Sequence, residues 1–148
     1  MNYLQSTLLF VLALALSRFI GLPANFTPLL ALAVFLPRMN VTPWLPVAIL
    51  AVTDLVLGVY TVMPIVYACM MFAAFLGTRM SNMYAAGATS VLAWHVIVNT
   101  AVVLTGPGFM PFTPEAMIFD LRLLASTMAF LAVFDIAYKS TKNVLRTA

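Results

Sequence analysis

Six apolar segments follow one another along the chain, and short polar stretches separate them. The separating stretches contain Pro, Gly, Asn or Arg, which are costly in hydrocarbon and tend to end helices. We predict one helix for each segment and call them segments 1 to 6. They cover residues 3–20, 27–37, 44–60, 65–77, 83–104 and 114–138.

The first two segments each allow a second interpretation. Segment 1 resembles a signal peptide, but it lacks a basic start, and Arg18 follows its apolar core. We therefore predict a retained helix. Segment 2 begins at Pro28 and stops at Pro37, so it covers only about half of a ~30 Å hydrocarbon core. It is predicted to be either a short helix or a re-entrant piece.

Segment 6 has a clear start signal. The preceding stretch, residues 106–114, is rich in Gly and Pro and cannot be regular structure. Thr113 is the predicted N-cap, Pro114 the first helical residue, and Glu115 lies in the positive first turn. A basic tail follows residue 138.

Composition decides the class of protein. Of the 148 residues, 64% are hydrophobic and 7% are charged, whereas a soluble domain carries roughly 25% charged residues. We therefore predict an integral membrane protein with one transmembrane helical domain over residues 1–148. The single Cys excludes an internal disulfide, and one Cys with one His is too few for a structural zinc site. A net charge of +3, clustered near segment ends, argues against a nucleic-acid partner.

The charges predict an orientation with six spans and both ends in the cytoplasm. This topology places five of the seven basic residues inside and three of the four acids in the outer half, which fits the positive-inside rule. A re-entrant segment 2 would weaken the pattern, and Asp135 is an exception to it. The five inside residues are Arg38, Arg79, Lys139, Lys142 and Arg146.

Polar side chains converge on the outer end of the predicted bundle. Arg18 ends segment 1 there, Asn25 begins segment 2, and Asp54 and Asn99 lie in the outer halves of segments 3 and 5. Ionisable groups inside a membrane protein mark a substrate or ion path, so we predict a pocket open to the outside. The alternative is that Arg18 only neutralises Asp54 or Asp120 in a salt bridge.

Two soft or imidazole side chains are candidate ligands for a metal carried by the substrate. His95 lies one turn from Asn99 on the same helix face, and Cys69 lies in the outer half of segment 4. The alternatives are a neutral imidazole bonded to a neighbouring helix, through Asn99, and a buried packing thiol.

Small residues form three helix faces with little side-chain volume, which allow close helix packing or the docking of a partner membrane protein. They are Ala51 with Asp54 and Gly58, Ala73 with Gly77, and residues 85–88. No catalytic constellation is present, so we do not expect an enzyme. A general-base role for His95 is the enzymatic alternative.

Several motifs within residues 18–99 resemble an uncharacterised bacterial membrane family whose members look like substrate-binding S-components of energy-coupling-factor vitamin transporters. A weaker match places Arg122 on an Arg of that family's last helix. The motifs are Arg18, Pro23-Ala24-Asn25-Phe26-Thr27-Pro28, Asp54-Leu55-Val56-Leu57-Gly58, Pro64-Ile65-Val66-Tyr67 and Val98-Asn99.

This resemblance implies a six-helix fold with an outward-facing pocket in the bacterial inner membrane. It also implies that an ATPase module drives uptake, or that the protein acts alone, as small solitary cobalamin transporters do. The expected function is uptake of a vitamin-like micronutrient, with a corrinoid such as cobalamin as the leading substrate. The expected alternative is a structural subunit that docks a membrane partner. The expected substrate-binding residues are Arg18, Asn25, Phe26, Asp54, Tyr67, Asn99 and Arg122.

Overall fold

The computed structural model describes residues 12, 16–17, 19–22, 25–106 and 113–147, with side chains up to residue 140. These residues form five α-helices and no strand, so the prediction of an all-α protein is confirmed for them. Arg18 and most of segment 1 lie outside the described residues. The helices are α1 (Leu29–Phe35), α2 (Trp44–Leu57), α3 (Met63–Arg79), α4 (Met83–Thr105) and α5 (Pro114–Thr147), and a 3₁₀ helix, Leu36–Met39, continues α1.

The short helix α1 lies at the centre of the molecule. Each of its seven residues is buried, and it packs against α3, α4 and α5. With its 3₁₀ extension it is roughly 18 Å long, which is less than the thickness of a hydrocarbon core.

Small residues on α3 and α4 allow their neighbours to approach closely. A Cβ atom added to Gly77 would lie 2.3 Å from the carbonyl oxygen of Val34 in α1. A Cβ atom on Gly87 would lie 2.7 Å from a methyl group of Leu131 in α5. Two of the three small-residue faces in the sequence therefore pack inside the protein.

Several predicted helix boundaries were wrong, and three of them have a clear local cause. Helix α2 ends at Leu57 rather than residue 60, because Gly58 has a positive φ of 126° that a helix cannot contain. Helix α3 begins at Met63, before the proline predicted to lie in the turn, because Pro is accommodated in the first helical turn. Helix α5 continues to Thr147 instead of ending near residue 138. Lys and Arg are good helix formers, so the basic tail extends the helix.

The predicted starts of the two long helices are supported by capping geometry. The Asn82 side chain accepts hydrogen bonds from the backbone N–H groups of Tyr84 and Ala85, at 2.9 and 3.2 Å. Thr113 accepts one from the N–H of Ala116 at 3.4 Å, as expected for the N-cap of α5.

Helices α4 and α5 are antiparallel neighbours in the chain, and both are long and apolar enough to cross a membrane, over Met83–Thr105 and Pro114–Ser140. The remaining described helices are apolar but shorter. Large apolar side chains on α2, α4 and α5 face outward. They include Val52, Leu55, Val56, Leu92, Val96, Ile97, Met117, Ile118, Leu121, Val133 and Ile136.

Candidate functional site

A cavity of about 640 Å³ lies between the loop before α1 and the facing parts of α2, α3, α4 and α5. Most of its wall is apolar. The polar side chains in the wall are Ser17, Asn25 and Thr27 before α1, Tyr60 between α2 and α3, Asn99 on α4, and Glu115 on α5. The apolar wall includes Phe26, Leu29, Leu30, Leu50, Leu57, Val62, Val66, Trp94, Val98, Val102, Ala116, Phe119 and Leu123.

Asp120 joins three elements at the edge of this cavity. Its Oδ2 atom lies 2.6 Å from the Asn99 amide nitrogen and 2.7 Å from His95 Nδ1. Its Oδ1 atom lies 3.4 Å from the amide nitrogen of Asn25. His95 Nδ1 also lies 3.2 Å from the Asn99 amide nitrogen, so the three side chains form one hydrogen-bonded group. The carboxylate is almost fully buried, and we call these four residues the Asp120 cluster.

The helix hairpin explains how residues distant in the chain meet in the Asp120 cluster. Asn99 lies six residues before the end of α4, and Asp120 lies six residues after the start of α5. In an antiparallel pair these positions are at the same height. Sequence reasoning placed His95 next to Asn99 but did not pair either residue with Asp120. The equal distances of Asn99 and Asp120 from the connection between the two helices were the signal in the sequence that could have predicted this pairing.

A buried hydroxyl fixes the loop that carries Asn25. Asn25 itself adopts a left-handed conformation with φ of 62°. The Ser126 Oγ atom on α5 lies 3.3 Å from the carbonyl oxygens of Asn25 and Thr27 and 3.0 Å from that of Leu123 in its own helix. It also accepts a hydrogen bond from the Thr27 N–H at 3.4 Å. Two side chains of α5, Asp120 and Ser126, therefore position the loop that forms one wall of the cavity.

We expect Ser126→Ala to destabilise the protein by about 1 to 3 kcal/mol, because it removes the buried partner of the loop's backbone groups. The matched control is Ser140→Ala, which changes an exposed serine of the same helix. Thermal unfolding in detergent measures both variants. Equal melting temperatures for the two would show that Ser126 does not hold the loop.

Asp54 forms a separate polar contact. It is fully buried on α2 and accepts a hydrogen bond from the Tyr67 hydroxyl at 3.1 Å. Asp54 and Tyr67 are not part of the described wall of the cavity. The predicted pairing of Arg18 with Asp54 or Asp120 falls on a residue outside the described part of the chain.

The other predicted site residues lie in different surroundings. Phe26 lines the cavity, and its ring packs on Phe130 with centroids 5.9 Å apart. Arg122 is exposed on α5. The Cys69 thiol is buried in the apolar core, outside the described cavity wall. Among the described residues, no group of three or more His, Cys, Asp or Glu side chains is arranged to hold a metal ion.

The cavity is therefore an apolar volume bordered by the carboxamides of Asn25 and Asn99 and the carboxyl group of Glu115. The NH₂ groups of Asn25 and Asn99 already donate to Asp120, so their carboxamide oxygens are the acceptors left for a ligand. Such a wall can bind a small molecule that has an apolar body and a polar, hydrogen-bonding edge.

Comparison with known proteins gives a family assignment. No curated protein and no solved structure matches the chain. One family model matches residues 2–147, nearly the whole chain. The chain therefore belongs to the DUF6580 family, a family of unknown function.

Proposed function

We propose that this protein binds a vitamin-like micronutrient in the 640 Å³ cavity and mediates its uptake. The observation that carries the proposal is the pair of carboxamides, Asn25 and Asn99, fixed at the cavity by one buried carboxylate. A transport or binding role uses such a rigid, mainly apolar site directly. It requires no catalytic group.

We further propose that the protein is a multi-pass protein of the bacterial inner membrane, with six spans and both ends inside. Its composition and the outward-facing apolar side chains support this location, because soluble monomers rarely expose large contiguous apolar patches. Segment 1 would supply the sixth span. The fold would then resemble an S-component, with energy provided by an ATPase partner or by trapping of the substrate inside.

The cavity favours a molecule of moderate size. Binding sites for small molecules are typically about 300 to 1,000 Å³, with a few polar groups that fix orientation. A corrinoid remains a candidate substrate. The burial of Cys69 in the apolar core gives no support to a thiolate–cobalt contact. The alternative function is a structural subunit that docks a membrane partner through small-residue faces. Two of these faces pack inside the protein and therefore do not support it.

A thermal-shift panel tests the proposal on detergent-purified protein. The panel contains the water-soluble vitamins, cobalamin, cobinamide and haem. We expect one compound to stabilise the protein by about 2.7 kcal/mol at 100 times its Kd. Asn99→Ala should abolish the shift, because it removes a carboxamide from the cavity wall, whereas Thr100→Ala, an exposed change on the same helix, should retain it. A panel without any shift would contradict the proposed function.

A further inference from the structure

A second cavity, of about 510 Å³ and wide open to the surface, lies at the other end of the α4–α5 hairpin. Its wall combines Arg38 from the 3₁₀ helix, Ser81 and Asn82 before α4, Tyr84 on α4, and Asp135 with Lys139 on α5. The apolar helices begin or end here: α3 ends at Arg79, α4 begins at Met83, and the candidate span of α5 ends at Ser140. In a bilayer this is the level of the lipid headgroups.

Arg38 brings a charge to this cavity without a carboxylate partner among the described residues. Its two terminal nitrogens donate to the carbonyl oxygens of Met80 and Ser81, the latter at 3.1 Å. The guanidinium therefore caps the end of α3, where carbonyl groups lack helical partners. Its Nε atom is buried and has no hydrogen-bond partner in the described part of the chain.

The wall of this cavity contains more hydrogen-bond donors than acceptor-only groups. Ser81 and Tyr84 carry hydroxyl groups, and Asn82 presents its NH₂ group because its oxygen already caps α4. The acceptor-only group in the wall is Asp135, whose carboxylate is paired with Lys139 at 2.6 Å. That pair balances the charge of the carboxylate, so the wall keeps the positive charge of Arg38. The cavity therefore suits an anion with several acceptor oxygens.

The surrounding charge is also positive. Arg79 lies at the end of α3 with its guanidinium 5.3 Å from the centre of the Phe75 ring, and α5 continues past the cavity through two more basic residues. Basic pockets between membrane helices on the cytoplasmic side bind anionic headgroups. A phosphate attached to acyl chains would place its chains along the outward apolar faces, which a free phosphate ion cannot use.

We propose that this cavity, which we call the Arg38 site, binds the phosphate group of an anionic phospholipid. The inference rests on the membrane location in the proposed function but not on the molecule in the larger cavity. A protein that binds no vitamin can still bind lipid here. The two proposals therefore fail separately.

Thermal unfolding in a neutral detergent tests the Arg38 site with dioleoyl phosphatidylglycerol, dioleoyl phosphatidylcholine and inorganic phosphate as probes. We expect the phosphatidylglycerol alone to raise the melting temperature in a saturable manner. Stabilisation by inorganic phosphate to the same extent would overturn the lipid assignment. No stabilisation by phosphatidylglycerol, or equal stabilisation by phosphatidylcholine, would overturn the site for anionic lipid.

Single substitutions test whether phosphatidylglycerol binds at the Arg38 site. Lys139→Gln changes an exposed side chain, and should weaken the apparent affinity for phosphatidylglycerol about 5-fold, since each basic residue near an anionic surface contributes about 1 kcal/mol. Arg38→Gln should weaken it at least as much. Arg122→Gln, an exposed change elsewhere on α5, should leave it unchanged. Wild-type affinity in Lys139→Gln and Arg38→Gln would place the lipid elsewhere and refute the proposal.

Discussion

Asp120→Asn is expected to destabilise the protein by about 3 to 5 kcal/mol, because a hydrogen bond to a charged group contributes about 1.5 to 3 kcal/mol and the change weakens several at once. The Asp120 carboxylate accepts from Asn99 and Asn25 and lies 2.7 Å from His95 Nδ1, so it contacts two elements besides its own helix. An amide in its place keeps one acceptor oxygen but turns an NH₂ group toward a side chain that is itself a donor. We also expect loss of ligand binding, because both cavity carboxamides lose their common anchor.

Asp135→Asn is the matched control for this prediction. It makes the same chemical change on the same helix, but Asp135 pairs with an exposed lysine one turn away, and such pairs contribute about 0.3 to 0.5 kcal/mol. Unfolding of both variants in detergent gives the comparison. Equal losses of stability would show that the Asp120 cluster has no special structural role.

Gly77→Ala is expected to have the second largest effect, a loss of about 3 kcal/mol or more. The new methyl group would lie 2.3 Å from the carbonyl oxygen of Val34 and 2.9 Å from two further backbone atoms of that residue. Backbone cannot rotate away as a side chain can, so α1 and α3 must separate, and overpacking of this kind typically costs 1 to 3 kcal/mol or more. The displaced helix α1 forms the centre of the protein, which raises the cost.

Gly106→Ala serves as the control for the change at Gly77. Gly106 has an extended backbone with φ of −173°, and a Cβ atom there would meet nothing within 4 Å in the described part of the chain. The same Gly→Ala substitution should therefore change the melting temperature little. A Gly77→Ala protein as stable as Gly106→Ala would contradict the close contact between α1 and α3.

The sequence predicted the starts of α4 and α5, where capping residues decide them. The Asn82 cap, the Thr113 cap and Pro114 lie where helix starts require such residues, and α4 and α5 begin there. The pattern could not show that the segment beginning near residue 27 would be the most buried helix. In a membrane protein, lipid-facing and core-facing side chains are both apolar, so hydropathy does not separate them.

The candidate site was predictable only in part, because its residues meet through tertiary packing. The neighbouring positions of His95 and Asn99 follow from helical spacing alone. The hydrogen bonds of both residues to Asp120 depend on the pairing of α4 with α5. The contact of Ser126 with the loop had no local signal, since the loop groups that it bonds are backbone groups about 100 positions earlier in the chain. Arg18 lies outside the described residues, so its role remains a prediction.

The most direct test of a ligand-binding cavity is native mass spectrometry of the protein purified from its own membranes. We predict a stoichiometric adduct that is not lipid or detergent. Ala116→Phe, which fills part of the cavity, should lose it, and Ala125→Phe, an equal change at an exposed position of the same helix, should keep it. An adduct retained in Ala116→Phe, or only lipid and detergent masses on the wild-type protein, would contradict the central claim.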